Sequence, residues 1–240
     1  GVEFGRQKTD NFRNNSSFGS TLAAIVPIAN PVTFTPVNFN VPSQDNRAEV
    51  SVAALYIQDQ VALSDQIEFI AGLRFERFDV DFDNYRNGAH FERKDDLVSP
   101  RAGLIYKPVE PASLYASYSV SYLPSSGDQS ASLDATSAAF EPEEFENIEV
   151  GVKWDIRTGL ALTAAIYRLD RTNTRAPGPV PGTIMLTGSQ RSEGIELGLG
   201  GDISDRWAMM AGFAWQDAEI TRTTSAAPAG RAIALTPEQQ

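Results

Sequence analysis

From Leu114 to Tyr122 the chain reads Leu-Tyr-Ala-Ser-Tyr-Ser-Val-Ser-Tyr, with a period of two residues. Successive side chains of an extended strand point to opposite sides. Leu114, Ala116, Tyr118, Val120 and Tyr122 therefore share one apolar face, and Ser117, Ser119 and Ser121 share a hydroxylic one. A soluble sheet uses such a strand once. Here the pattern returns along nearly the whole chain.

Ile67, Phe69, Ala71, Leu73 and Phe75 alternate with Glu68, Gly72, Arg74 and Glu76, and Ile70 is the exception. Ile148, Val150, Val152 and Trp154 alternate with Glu149, Gly151, Lys153 and Asp155. Ile195, Leu197 and Leu199 alternate with glycines and Glu196, and Trp207, Met209, Ala211, Phe213 and Trp215 form a stripe with tryptophan at both ends. A membrane-crossing strand needs about 9–11 residues, apolar toward lipid and polar toward the lumen, with aromatic girdles at the interfaces. These segments fit that recipe. Charges on the second face, such as Glu68, Arg74 and Lys153, favour a watered lumen over a second packed sheet. Between Arg47 and Val61 the faces are ambiguous, because Val52 and Ala54 side with Gln58 while Leu55 and Ile57 side with Asp59.

Composition narrows the alternatives. There is no cysteine in 240 residues, so disulfides and thiolate metal sites are excluded. A net charge of -11 argues against nucleic acid, whose phosphates call for clustered Lys and Arg. The longest apolar stretches, Leu22–Ala29 and Trp207–Trp215, fall well short of the roughly 18 residues of a membrane helix. A membrane reading must then be a closed barrel, the other structure that satisfies every backbone group in lipid. No signal-peptide pattern opens the chain, and both ends read as cuts in a longer protein.

Short and long connections alternate. Leu63–Gln66, Pro108–Pro111, Asp155–Gly159 and Gly201–Asp205 read as tight turns; Thr9–Gln44, Asp83–Asp96, Pro124–Pro142, Thr172–Gly182 and Thr223–Pro237 read as long loops. That sorting predicts about nine antiparallel strands with short periplasmic turns and long extracellular loops.

Several segments in this order resemble the barrel of TonB-dependent outer-membrane receptors, nearest the ferric-siderophore branch. They are Tyr56-Ile-Gln-Asp-Gln60, Ala71-Gly-Leu-Arg74, Ser99-Pro-Arg-Ala-Gly-Leu-Ile-Tyr-Lys-Pro108, Tyr115–Ser121, Pro142–Trp154, Leu162–Asn173 and Gln190–Leu197. The resemblance implies an all-β antiparallel transmembrane barrel of 22 strands, of which residues 1–240 are a middle part lacking the plug domain and the C-terminal strands. It implies import of a ferric siderophore energised by the TonB complex, in the outer membrane of a Gram-negative cell, against lipid and lipopolysaccharide. Haem, cobalamin and oligosaccharide are alternative cargoes on the same barrel. A small structural barrel and a soluble β-sandwich binding module are the rival readings.

No catalytic motif is present: no Gly-x-Ser-x-Gly elbow, no His-Glu-x-x-His, no P-loop. No enzyme activity and no cofactor are expected. His90, the single histidine, has no evident metal partner in sequence. The acidic run Glu141–Glu146 lacks a calcium loop, and Glu68 with Glu76 reads as a lumenal charge ladder rather than an acid–base pair. Gly194, Gly198, Gly200 and Gly201 precede a strand, not a helix, and read as small lumen residues. A bulky anionic chelate would be held by cations and aromatic faces. On the expected loops these are Arg13 beside Phe12, Tyr85, Arg86, Arg93 beside Phe91, Arg171 and Arg175.

Overall fold

The computed structural model describes residues 1–19, 25–32, 36–124, 141–177, 184–224, 227–233 and 236–239. Among the described residues nine strands follow one another in space as they do in sequence: β1 (Val2–Phe18), β2 (Val37–Ala62), β3 (Ile67–Asn84), β4 (Ala89–Val109), β5 (Ala112–Leu123), β6 (Glu143–Arg157), β7 (Leu160–Pro177), β8 (Ile184–Ser204) and β9 (Trp207–Ile220). Every neighbouring pair is antiparallel, and together they make one sheet in the order β1 to β9. The sheet is not closed. Beyond β9 the chain doubles back onto its free edge, where the Gln216 amide donates to Glu238 and the Ile233 amide to Ala218.

A sandwich needs a second layer to cover its apolar face. Here there is one layer. Among the described residues only Ala48, Ala54, Val80, Phe82, Leu97 and Ala218 form the buried apolar set. Phe69, Leu73, Leu104, Leu114, Val150, Ile166, Ile195, Leu197 and Phe213 are each 40–57 % exposed. The soluble-sandwich reading therefore fails on architecture.

Register shows why these side chains are outside. Val61, Phe69, Leu104, Ala116, Val150, Ile166, Ile195 and Trp215 stand opposite one another from β2 to β9. The next row on the other face reads Gln60, Ile70, Gly103, Ser117, Glu149, Tyr167, Gly194 and Gln216. A single-residue slip anywhere would put charge into lipid, so the alternation itself fixes the register. Trp154, Trp207, Trp215, Tyr106 and Tyr118 lie toward the ends of this apolar band on the same face, as interface girdles require. The register also resolves β2: Leu55, Ile57 and Asp59 share the outer face of Phe75, Leu73 and Ala71, while Val52, Ala54 and Gln58 face inward.

The loop assignments need correction. Asp83–Asp96 is not a long loop but a tight hairpin, with β3 running to Asn84 and β4 starting at Ala89. Asn84 and Asn87 accept the amides of Arg86 and Ala89, and Gly88 turns with φ 70°. Much of Thr9–Gln44 is likewise strand, since β1 reaches Phe18 and β2 begins at Val37, and β7 continues to Pro177. The reason is the same in all three places. Strands here extend past the apolar band, and charge on an extended strand mimics a solvated loop in sequence. The turns at 63–66, 110–111, 158–159 and 205–206 are short, as expected. Residues 125–140, which hold most of the expected loop Pro124–Pro142, and 178–183, which hold the end of Thr172–Gly182, lie outside the described residues.

Above the apolar band the polarity of β1–β4 inverts. The outer face reads Arg77 opposite Asp96, then Arg6–Ser51–Asp79–Lys94, Lys8–Glu49–Asp81–Glu92 and Asp10–Arg47–Asp83–His90. Ion pairs cross it: Arg77 Nε to Asp96 at 2.7 Å, Arg47 Nε to Asp10 at 2.6 Å, and Arg6 to Glu49. The inner face carries Ala48, Val80 and Phe82, packed with Val50 and Phe91 into the one buried cluster among the described residues. Phe82 stacks on Phe91 with ring centroids 4.7 Å apart.

Candidate ligand-facing wall of the lumen

The inner face of the band is built from alternate residues of β2–β9, and its polar groups are tied to one another. Glu68 on β3 accepts from Lys107 Nζ on β4 at 2.5 Å and from Gln60 Nε2 on β2 at 2.6 Å. Arg74 reaches Glu3 at 2.9 Å and Glu76 at 2.5 Å, and lies 5.7 Å from the centre of the Tyr56 ring. Glu68 and Glu76 are thus separate ion-pair acceptors, which matches the charge-ladder expectation. The Tyr115 hydroxyl donates to Glu149 at 2.5 Å, and Lys153 Nζ sits 5.6 Å from the same ring. Further round, Gln216 accepts from Tyr167 at 3.2 Å and from Ser192 at 3.3 Å.

Glycines let these large side chains lie flat. Tyr115 stands opposite Gly151, where an added Cβ would sit 2.5 Å from its ring. Tyr167 lies against Gly194 and Arg101 against Gly72 in the same way, at 2.8 and 2.7 Å. Inward side chains laid across glycine leave the lumen wide while covering backbone that would otherwise be bare. Gly194, Gly198 and Gly200 are strand residues of β8 on this face, in keeping with the small-residue reading.

The six candidate contacts fall into three groups. Arg13, Tyr85 and Arg86 meet at the rim around residues 43–45 of β2. Arg86 Nη1 donates to the Ser43 carbonyl at 2.5 Å, the Ser43 hydroxyl donates to the Arg13 carbonyl at 3.1 Å, and the Tyr85 amide donates to Asp45 at 2.9 Å. Arg13, Tyr85 and Arg86 are themselves exposed. Arg13, Arg93, Arg171 and Arg175 are strand residues, not loop residues, which corrects their expected placement. Arg93 lies inward on β4 against Asp95 at 2.6 Å, with side-chain exposures of 17 % and 7 %. Arg171 lies inward on β7 against Glu143 at 2.9 Å, its guanidinium 5.2 Å from the Phe145 ring. Arg175 pairs with Leu186 between β7 and β8, and its side chain lies outside the described residues.

Two further expectations meet the geometry. The acidic run divides between faces as β6 begins, Glu143 inward on Arg171 and Glu144 and Glu146 outward, so it offers no convergent calcium ligands. His90, however, has carboxylate neighbours that its sequence position conceals. Asp83 lies 2.9 Å from Nδ1, Asp81 3.8 Å from Nδ1 and Glu92 3.8 Å from Nε2, all on the outer face, with Asp81 and Glu92 exposed and Asp83 half-buried. The hydrogen bond to Asp83 is the main reason its pKa is raised above 6.5.

Arg101 is the residue that sequence reasoning passed over. It sits inside the Ser99–Pro108 segment, faces the lumen opposite Gly72 and Ser119, and is exposed. No hydrogen bond or ion pair engages its guanidinium among the described residues. Just above the Arg101–Ser119 pair β4 and β5 part, and there a cavity of about 360 Å³ is lined by Tyr56, Arg74, Ser99, Arg101, Ser119 and Ser121.

Comparison with known proteins adds to this geometry. The family model "TonB dependent receptor-like, beta-barrel" matches residues 1–240. The chain belongs to that family. The curated sequence of the siderophore receptor PiuA of Acinetobacter baumannii is 33 % identical over 197 residues, covering 78 % of this chain and 26 % of PiuA. The PiuA crystal structure superposes with a TM-score of 0.79 at 28 % identity, over 99 % of this chain and 39 % of that one. The catecholate siderophore receptor Fiu of Escherichia coli is 26 % identical over 268 residues, covering 99 % of this chain and 35 % of Fiu. This barrel segment thus spans about a quarter to two-fifths of the length of these relatives.

Proposed function

We propose that this segment is the wall of an outer-membrane importer of ferric siderophores, energised by the TonB complex through parts of the protein that the chain does not include. On this reading residues 1–240 are one part of a barrel domain, without the plug and without the last strands. The wall contacts lipid and lipopolysaccharide outside and the ferric chelate inside. It performs no catalysis and holds no resident cofactor.

The carrying observation is the two-faced sheet: an apolar outer row from Val61 to Trp215, and an inner wall of hydroxyls, ion pairs and arginines. An anionic chelate gains from charge-assisted contacts on such a wall, whereas a neutral sugar would not use them. The names of PiuA and Fiu support the siderophore class. Within the wall, Arg13, Tyr85 and Arg86 at the rim are the sequence-derived candidates whose side chains stand clear of carboxylates, and we propose them as first contacts. Arg93 and Arg171 would shape the wall through their ion pairs.

The test is uptake by a receptor-deleted host carrying the full-length parent. Growth on, and accumulation of, a radiolabelled ferric chelate is the expected result. Growth on a glycan or on cobalamin without chelate uptake would leave the barrel intact and remove the siderophore. A second cargo has one specific observation behind it: the metal-pseudopaline receptor CntO of Pseudomonas aeruginosa is 31 % identical over 196 residues. Accumulation of another labelled metal ion in place of iron would select that reading.

A further inference from the structure

We propose that Arg101 is a specificity-determining contact of the lumen wall, a guanidinium held free to meet the anionic oxygens of the chelate. The proposal deepens the import reading and rests on it.

Most inward cations of the described wall are already matched. Arg74 is shared between Glu3 and Glu76, Lys107 is bound to Glu68, Arg93 to Asp95 and Arg171 to Glu143. Lys153 rests on the Tyr115 ring. Arg101 has no such anchor, and Coulomb matching leaves it as the net positive charge of its surroundings, since Arg74 in the same cavity is neutralised twice over. The cavity sets it beside the Ser99, Ser119 and Ser121 hydroxyls and Tyr56, with apolar Ile57, Leu73, Pro100 and Val120 completing the lining. One unpaired guanidinium among hydroxyls is a complement to several oxygens that share negative charge, because the fork of the guanidinium takes two of them at once.

The arrangement is also positioned. An added Cβ at Gly72 would lie 2.7 Å from Arg101 Nε and 2.9 Å from its Cγ. The side chain therefore runs across the neighbouring strand at the one place where there is no side chain in its way. The opening where β4 and β5 separate above Ser119 gives it a concave surround in place of a packed one.

The experiment uses the purified full-length parent in detergent, with ferric enterobactin as the trianionic tris-catecholate probe and ferrichrome as the neutral tris-hydroxamate. Arg101→Gln should raise the Kd for ferric enterobactin roughly ten- to hundredfold, the value of a lost charge-assisted contact. The change for ferrichrome should stay under about twofold. Arg101→Lys should recover part of the loss. Gly72→Ala keeps the charge and moves the guanidinium, so it should fall between wild type and Arg101→Gln. An unchanged Kd in Arg101→Gln overturns the proposal. So does equal weakening of both chelates with a lowered melting temperature, which would mean that Arg101 holds another part of the protein. A wild-type parent that takes up no ferric chelate removes the import reading, and this inference with it; one that takes up a ferric chelate but does not bind ferric enterobactin overturns this inference alone.

Discussion

Two parts of one sheet obey opposite rules. In the band from Ile67 to Phe75 on β3 the outer residues are apolar and the inner ones are Glu68, Gly72 and Arg74, with Ile70 the exception. From Arg77 to Asp83 on the same strand the outer residues are charged, and the inner ones are Phe78, Val80 and Phe82. Strand geometry does not change between them, and neither does register. What changes is the solvent on the outside. In lipid an apolar side chain belongs outward. Above lipid the outer face meets water and the inner face is the only place left to bury a phenylalanine. The point of inversion, between Phe75 and Arg77, therefore marks where the hydrocarbon ends.

The comparison can be broken in several ways. The largest expected effect is in the upper part. Phe82 is 1 % exposed, and Phe82→Ala should destabilise the β3–β4 hairpin by about 3–5 kcal/mol, read by hydrogen exchange of its amides. An unchanged exchange rate would mean that the inner face is not a core.

In the band, Val152 stands in the outer row with Leu114, Ala164, Leu197 and Phe213, and Val152→Arg should cost about 2–4 kcal/mol in a lipid host. Its neighbour Lys153 faces the lumen and should accept glutamine within about 0.5 kcal/mol. Ser51 sharpens the contrast. It too is on the outer face, in the row with Arg6, Asp79 and Lys94, so Ser51→Arg should also stay within about 0.5 kcal/mol. Equal penalties at Ser51 and Val152 would erase the boundary.

Smaller still is the outer ion pair of Arg77 and Asp96, both half exposed, where Asp96→Asn should lower the melting temperature only slightly, and less in high salt. Smallest is His90. Its pKa is raised by Asp83, so its favourable contacts are present while it is protonated, below the ordinary 6.5, and are lost as pH rises through the higher folded value. Asp83→Asn should move the imidazole titration seen by NMR back down toward 6.5.

The band was legible in the sequence because burial in lipid and exposure to a wet lumen write a clean period of two, as in Leu114–Tyr122. The upper strands were not, because both their faces contain charge. Arg93 and Asp95 point inward as a pair while Glu92 and Lys94 point outward, and a one-dimensional reading sees only a charged run. One local signal was there to be used: Asn87-Gly88, a turn dipeptide, with Gly88 at φ 70° in the four-residue connection between Asn84 and Ala89. For the wall, residue type found the arginines but could not say which were neutralised. Glu143 meets Arg171 from 28 positions away, and that distance in sequence hides the pairing. Arg101 looked like part of a strand, and its freedom shows only when its neighbours on β3 and β5 are in place.

The most direct test places a single nitroxide label at each position of β3, from Ile67 to Asn84, in the full-length parent in bilayers, and measures accessibility to oxygen, which concentrates in lipid, and to a water-soluble nickel chelate. The account predicts oxygen-accessible labels at 69, 71, 73 and 75, nickel-accessible labels at 77, 79, 81 and 83, and labels at 78, 80 and 82 reached by neither. Lipid exposure continuing through 77 to 83, or nickel access at 80 and 82 equal to that at 79 and 81, would contradict it.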